Sequence, residues 1–269
     1  MSEINNVASS TMMQFNEEVV ERRLAFKPDP EIGNLCMGYI NDVRIDIREV
    51  SKLNEDGTEN TWEYAGCKFP TMVIEFKQAK SDANPKDRYY TFTVKPVTTL
   101  NKNGEPVQVD KIVSIMQQEY ARLRHIANQF KGVKGYPTNA GGCPGIDYAA
   151  APEVRVAQYT AFFEYFKNLL VGENPETPIY KGVKLWMKLV ADYSTGKYLA
   201  FPGFVGRGFI ERVIQGQNTT LEFEANETVA LTKSTKENKR EAAINNGIPA
   251  MDAGATDPSI QSVIDKYSK

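Results

Sequence analysis

Between Gly38 and Val97 the apolar side chains return at every second position in three consecutive runs, and no other feature narrows the possible folds as much. In GYINDVRIDIREV, Val43, Ile45 and Ile47 alternate with Arg44, Asp46 and Arg48. A half-buried strand has this pattern, with one face in a core and the other in water. The second run is FPTMVIEF (residues 69–76) and the third RYYTFTVKPV (residues 88–97), where Tyr90, Phe92 and Val94 oppose Tyr89, Thr91, Thr93 and Lys95. KLNEDGTENTWEY, with its Asp-Gly turn pair, and KQAKSDANPKD separate the runs. Three such strands in succession predict an antiparallel meander.

The period then changes. Residues 109–130 space Ile112, Ile115, Met116, Tyr120, Leu123, Ile126 and Phe130 three or four apart, as one face of a helix requires. A Gly-, Pro- and Ala-rich loop, YPTNAGGCPGIDYAAAPE, is expected to run over the surface. Residues 153–170 read as a second helix burying Val156, Tyr159, Phe162, Phe163, Phe166 and Leu170. Strands are expected again at 184–193, 197–201, about 209–213 and 220–223. Ahead of the meander, residues 12–24 predict a helix that Pro28 and Pro30 terminate. Beyond Thr228 the chain is polar and aperiodic, with a brief helical pattern at 260–267. The expected organisation is an N-terminal helical arm (1–30), a main domain (31–227) with a helical insertion at about 105–176, and a flexible C-terminal tail (228–269).

Composition removes several classes. With 32 Lys and Arg against 34 Asp and Glu in 269 residues, binding to a polyanion would have to come from local patterning. No run approaches the ~20 apolar residues of a membrane helix, and the N-terminus has no basic or apolar leader pattern. The expected location is the cytoplasm, that of the host if the chain is viral. Cys36, Cys67, Cys143 and the single histidine, His125, add up to one Cys3His set, but they lack the close pairs of structural zinc sites, so no metal or other cofactor is expected. Phosphate-loop, metalloprotease and nucleophile-elbow motifs are missing too, and the chain reads as a non-enzyme.

Three strands, a helical segment and two further strands follow the order of the OB-fold, a small five-stranded barrel. GYINDVRIDIREV, FPTMVIEF and RYYTFTVKPV before the insertion, with KLWMKLVADY and KYLAFPGF after it, resemble the layout of bacteriophage-type single-stranded DNA-binding proteins. The resemblance covers about residues 37–223. It implies an α+β chain, mainly β, in the order β-β-β-α-α-β-β, that coats single-stranded DNA during replication or recombination. It also implies replication partners for the tail. Asp252, Asp257 and Asp265 are offset there by Lys266 and Lys269, whereas tails of this family are usually strongly acidic.

Binding a single strand without regard to sequence requires cations that track phosphates and rings that accept unstacked bases. KGVKLWMKLV supplies both on one face, in Lys184, Trp186 and Lys188. Trp186 is either a stacking platform or a ring packed beneath the insertion, with the lysines reaching around it. Arg88, Tyr89 and Lys95 form a second set, and Arg44 and Arg48 a third on the first strand. In YLAFPGFVGRGF, Phe204 and Arg207 sit among glycines that let a backbone approach a ligand, although a phenylalanine capping the barrel is equally ordinary. The lone His125 reads as an exposed helical residue, and Arg22 and Arg23 in the arm suit contacts between protomers. A different function fits the same organisation: a virion or capsid-associated subunit whose arms lock neighbours together.

Overall fold

A long strand, β2 (Asn34–Glu49), organises the molecule, because its two halves pair with different partners. Residues Asn34 to Gly38 run antiparallel to β6 (Leu185–Ala191), and residues Gly38 to Glu49 run antiparallel to β3 (Lys68–Gln78). The changeover falls on Gly38, which pairs with both Leu185 and Gln78. A Cβ at that position would lie 2.5 Å from the Lys77 carbonyl oxygen and would also strike the Met187 methyl. Only glycine allows the three strands to converge so closely. A bulge at Asn41 follows at once and bends the strand further.

This computed structural model describes residues 34–80, 86–101, 103–139, 141–191, 199–203 and 205–223, together with the backbone of Met12 and Met13. β3 pairs in turn with β4 (Tyr89–Val94), which completes the expected meander. Two helices follow, α1 (Val109–Asn128) and α2 (Pro152–Val171), and then β6, β7 (Leu199–Ala200) and β8 (Ile210–Arg212). The main order is the one read from the periodicities. β7 and β8 both pair antiparallel with β6, and the Lys188 amide of β6 also donates to the Phe209 carbonyl just ahead of β8.

The result is a mixed α+β architecture whose sheet is mostly antiparallel and open. Strand order is β4-β3-β2-β6-β7, with β8 also on β6. β4 and β7 approach one another without a ladder among the described residues. Aromatic rings fill the space instead: Phe201 lies 4.7 Å from Phe76, and Phe209 stacks on Phe92 at 6.1 Å.

The inner face of the sheet contributes Ile40, Val43, Met72, Ile74, Phe92 and Leu185 to one core shared with both helices. Every residue assigned to the buried side of α2 is buried, and on α1 only Ile115 is partly exposed. Pro152 begins α2 at a position where its missing N–H costs nothing, and Gly172, at φ 77°, ends it. Arg155 and Glu63, only 4% and 3% exposed, form a 3.1 Å ion pair that ties α2 to the segment between β2 and β3. Thr99 bonds to both members of the pair.

Several expectations are corrected. Met12–Met13 form a short strand, β1, rather than the first turn of a helix; they pair with β5 (Ile146–Asp147), so tertiary pairing overrides the local helical spacing. The loop carrying β5 is likewise anchored, since Ile146 is buried. Residues 220–223 make no ladder, although Leu221 and Phe223 are buried. The rest of the N-terminal arm, with Arg22 and Arg23, and the tail from residue 224 lie outside the described residues. No helix among the described residues is long and apolar enough to cross a membrane.

Candidate nucleic-acid interface

The outer face of the sheet acquires its chemistry from strand register. Tyr39 on β2, Lys77 on β3 and Tyr89 on β4 are direct cross-strand neighbours, so ring, cation and ring lie in one row. The Lys77 ammonium sits 5.2 Å from the centre of the Tyr89 ring, a cation–π distance. Tyr89 is 49% exposed on the edge strand, and Arg88 beside it is also exposed. One residue beyond the last β2–β6 ladder pair, Tyr39 lines a depression together with Lys184. A transverse band therefore runs Lys184, Tyr39, Lys77, Tyr89, alternating cation and ring across four strands. At ~4.8 Å per strand it spans roughly 14 Å.

Carboxylates modulate this band. Asp87 holds Lys77 at 3.0 Å and Lys80 at 3.4 Å. Lys77 titrates above the ordinary lysine range, chiefly through its hydrogen bond to Asp87 and then through that to Tyr89. Asp87 is correspondingly held below the usual carboxylate range, mainly by Lys77. Both groups are thus charged at neutral pH, and a phosphate arriving at Lys77 has to compete with Asp87. Next to Tyr39 and Trp186, Met37 adds an exposed apolar surface on the same face.

Some of the residues chosen from sequence lie elsewhere. Lys184 and Tyr89 belong to the band, and half-buried Trp186 adjoins it through Met37. Arg88 is corrected, because alternation turns it to the opposite face, where its side chain hydrogen-bonds Tyr90. Lys188 is corrected: it is 0% exposed, and its ammonium donates to the Glu222 carbonyl at 2.9 Å and lies 5.9 Å from the Phe223 ring. β6 is an interior strand, and residues 221–223 cover the end of its outer face. Arg207 forms an ion pair with Glu222 rather than projecting from its loop. Arg44 is exposed but bridged by Asp42 at 2.6 Å and Asp46 at 3.0 Å, which removes its net field. Arg48 lies over the Trp62 ring at 6.0 Å, toward the far end of β2, and Lys95 is exposed beyond the end of β4. Phe204 lies outside the described residues. Tyr39 and Lys77 were missed: period two places both on an outer face, but nothing in one strand reveals its neighbour across the ladder.

His125 is corrected as well. Its ring lies under Gly208, and Nε2 accepts long hydrogen bonds from the Phe209 and Ile210 amides at 3.3 and 3.4 Å. Nε2 is therefore unprotonated and the ring proton resides on Nδ1. Burial pushes the pKa down to about 4, so the imidazole is neutral at physiological pH.

Among the described residues, no cluster of three His, Cys, Asp or Glu side chains is placed to hold a metal ion. Burial pushes the Cys36 and Cys143 thiols up to about 11 and about 12, so both stay protonated. No family model matches the chain, and it matches none of the curated proteins or solved structures compared with it.

Proposed function

We propose that the protein binds single-stranded DNA without sequence preference and protects it during replication or recombination, with the outer face of an OB-like, incompletely closed sheet as its platform. One observation carries this reading: the cross-strand band in which Lys184, Tyr39, Lys77 and Tyr89 alternate charge and ring. Cations in such a band meet successive phosphates, and the tyrosines accept unstacked bases of any identity. Three successive strands, β2 to β4, precede the two helices and β6 to β8 follow them, an arrangement that supports an OB-like reading. Catalysis has no part in this mechanism; binding is electrostatic tracking combined with stacking.

Titration with a thymidine oligomer, followed by tryptophan fluorescence, tests it. Half-buried Trp186 is next to the band, so binding should quench its emission, and added salt should reverse the quenching. An unchanged signal at low salt, together with self-assembly into shells or rings, would overturn the reading in favour of an architectural subunit.

A further inference from the structure

The band ends at Lys184, but the cationic and aromatic surface does not. A depression of ≈ 540 Å³ begins there, lined by Tyr39, Tyr180, Lys181 and Lys184. It shares Pro175 and Tyr180 with a second depression of ≈ 740 Å³ that contains Tyr165 and Lys167. The second shares Pro137 and Tyr165 with a third of ≈ 490 Å³, where Arg124, Lys131 and Tyr136 gather near the C-terminal end of α1. Because consecutive depressions share wall residues, they adjoin in series from the sheet across the helical insertion, as a segmented trough.

We infer that this trough carries single-stranded DNA onward from the sheet, so that the insertion is a second half of the binding track and not only a packing element. This extension rests on the sheet face binding a single strand. Tyr39, Tyr180, Tyr165 and Tyr136 follow one another along the trough, and each is only partly buried. Partly exposed rings spaced along a cleft suit unstacked bases; a duplex keeps its bases stacked inside. Five cations line the three depressions against three carboxylates, Asp42, Glu173 and Glu176, in a chain whose overall charge is -2. The trough thus opposes the charge of the molecule around it, and a cleft concentrates that field. Lys131, Lys181 and Lys184 have no ion-pair partner among the described residues, which leaves them available to phosphates; Lys167 is held by Glu164 at 3.4 Å. Backbone from the glycine-rich segment after α1, including Gly132 and Gly141, borders the far end, where it presents little bulk to a passing strand.

The test compares thymidine oligomers of about 4 and about 16 nucleotides, the limits found for a single domain of this type. In the unaltered protein the longer oligomer should bind far more tightly than its extra length explains statistically. In the double variant Lys131→Glu, Lys167→Glu, both at the surface, binding of the short oligomer should be unchanged while the length-dependent gain falls at least tenfold. Equal melting temperatures establish that the variant is folded, and the length dependence of the unaltered protein is a second readout that needs no variant. The inference is overturned if the variant keeps the full gain, or if affinity in the unaltered protein stops rising at the short length. Failure of both proteins to bind even the short oligomer would instead overturn the sheet-face reading beneath it. A gain seen with uridine ribo-oligomers and not with thymidine oligomers would assign the trough to RNA and overturn the DNA assignment.

Discussion

Replacing Asp87 by asparagine should strengthen binding, and the size of the effect follows from the carboxylate's two partners. Asp87 accepts from Lys77 at 3.0 Å and Lys80 at 3.4 Å, and all three side chains are in contact with solvent. Lys77 keeps Asp87 ionised well below its ordinary range, so no accessible pH near neutrality removes its charge without also disturbing the rest of the protein. Asparagine preserves shape and removes the competitor for both ammonium groups. Each phosphate neutralised on a single strand contributes about 0.7 to the slope of log affinity against log salt, so two released cations steepen it by up to ~1.4. Between 50 and 200 mM salt the variant then loses about sevenfold more affinity than the unaltered protein, starting from tighter binding at the low-salt end. Anisotropy of a labelled thymidine 16-mer across that salt range measures both quantities. Melting temperature should change by no more than a degree or two, because the pair is exposed. Equal or weaker affinity with an unchanged slope would refute the placement of phosphate at Lys77 and Lys80.

Tyr89→Ala should weaken binding by roughly 1 to 3 kcal/mol, or about 5- to 150-fold, with Tyr89→Phe retaining most affinity; loss in both variants alike would argue against stacking. Gly38→Ala places a methyl against the Lys77 carbonyl and Met187 where three strands meet, and should cost about 3 kcal/mol or more in urea unfolding; near-wild-type stability would show that the junction relaxes freely. Because His125 is held neutral with a pKa of about 4 against the usual 6.5, the unfolded chain binds its proton first as pH falls. Stability should therefore decline between pH 6.5 and 4, by up to about 3 kcal/mol, and His125→Gln should flatten that part of the profile; an equally steep decline in the variant would refute the assignment.

The meander and both helices were legible in the sequence because each obeys a local period. Val43, Phe92 and Val94 point inward as alternation requires, and the aromatic side of α2 is buried as its spacing implies. What local period cannot carry is the identity of the strand next door. KGVKLWMKLV looked like a binding face along one strand, but β6 is an interior strand and a later segment at 221–223 closes over Lys188. The alternation of charge and ring is real, yet it runs across the strands, through Tyr39, Lys77 and Tyr89, and depends on a register that the bulge at Asn41 helps set. His125 failed to read as buried for a similar reason. The residues that cover it, Gly208 to Ile210, come 83 or more positions later in the chain, beyond the reach of helical spacing.

Photocrosslinking bears most directly on the central claim, that a single strand lies across the sheet's outer face. With a thymidine oligomer carrying 5-iodouracil and mass spectrometry of the adducts, crosslinks are expected at Tyr39 and Tyr89 and should disappear as salt is raised. Adducts confined to other surfaces, or none at salt low enough for tight binding, would contradict it.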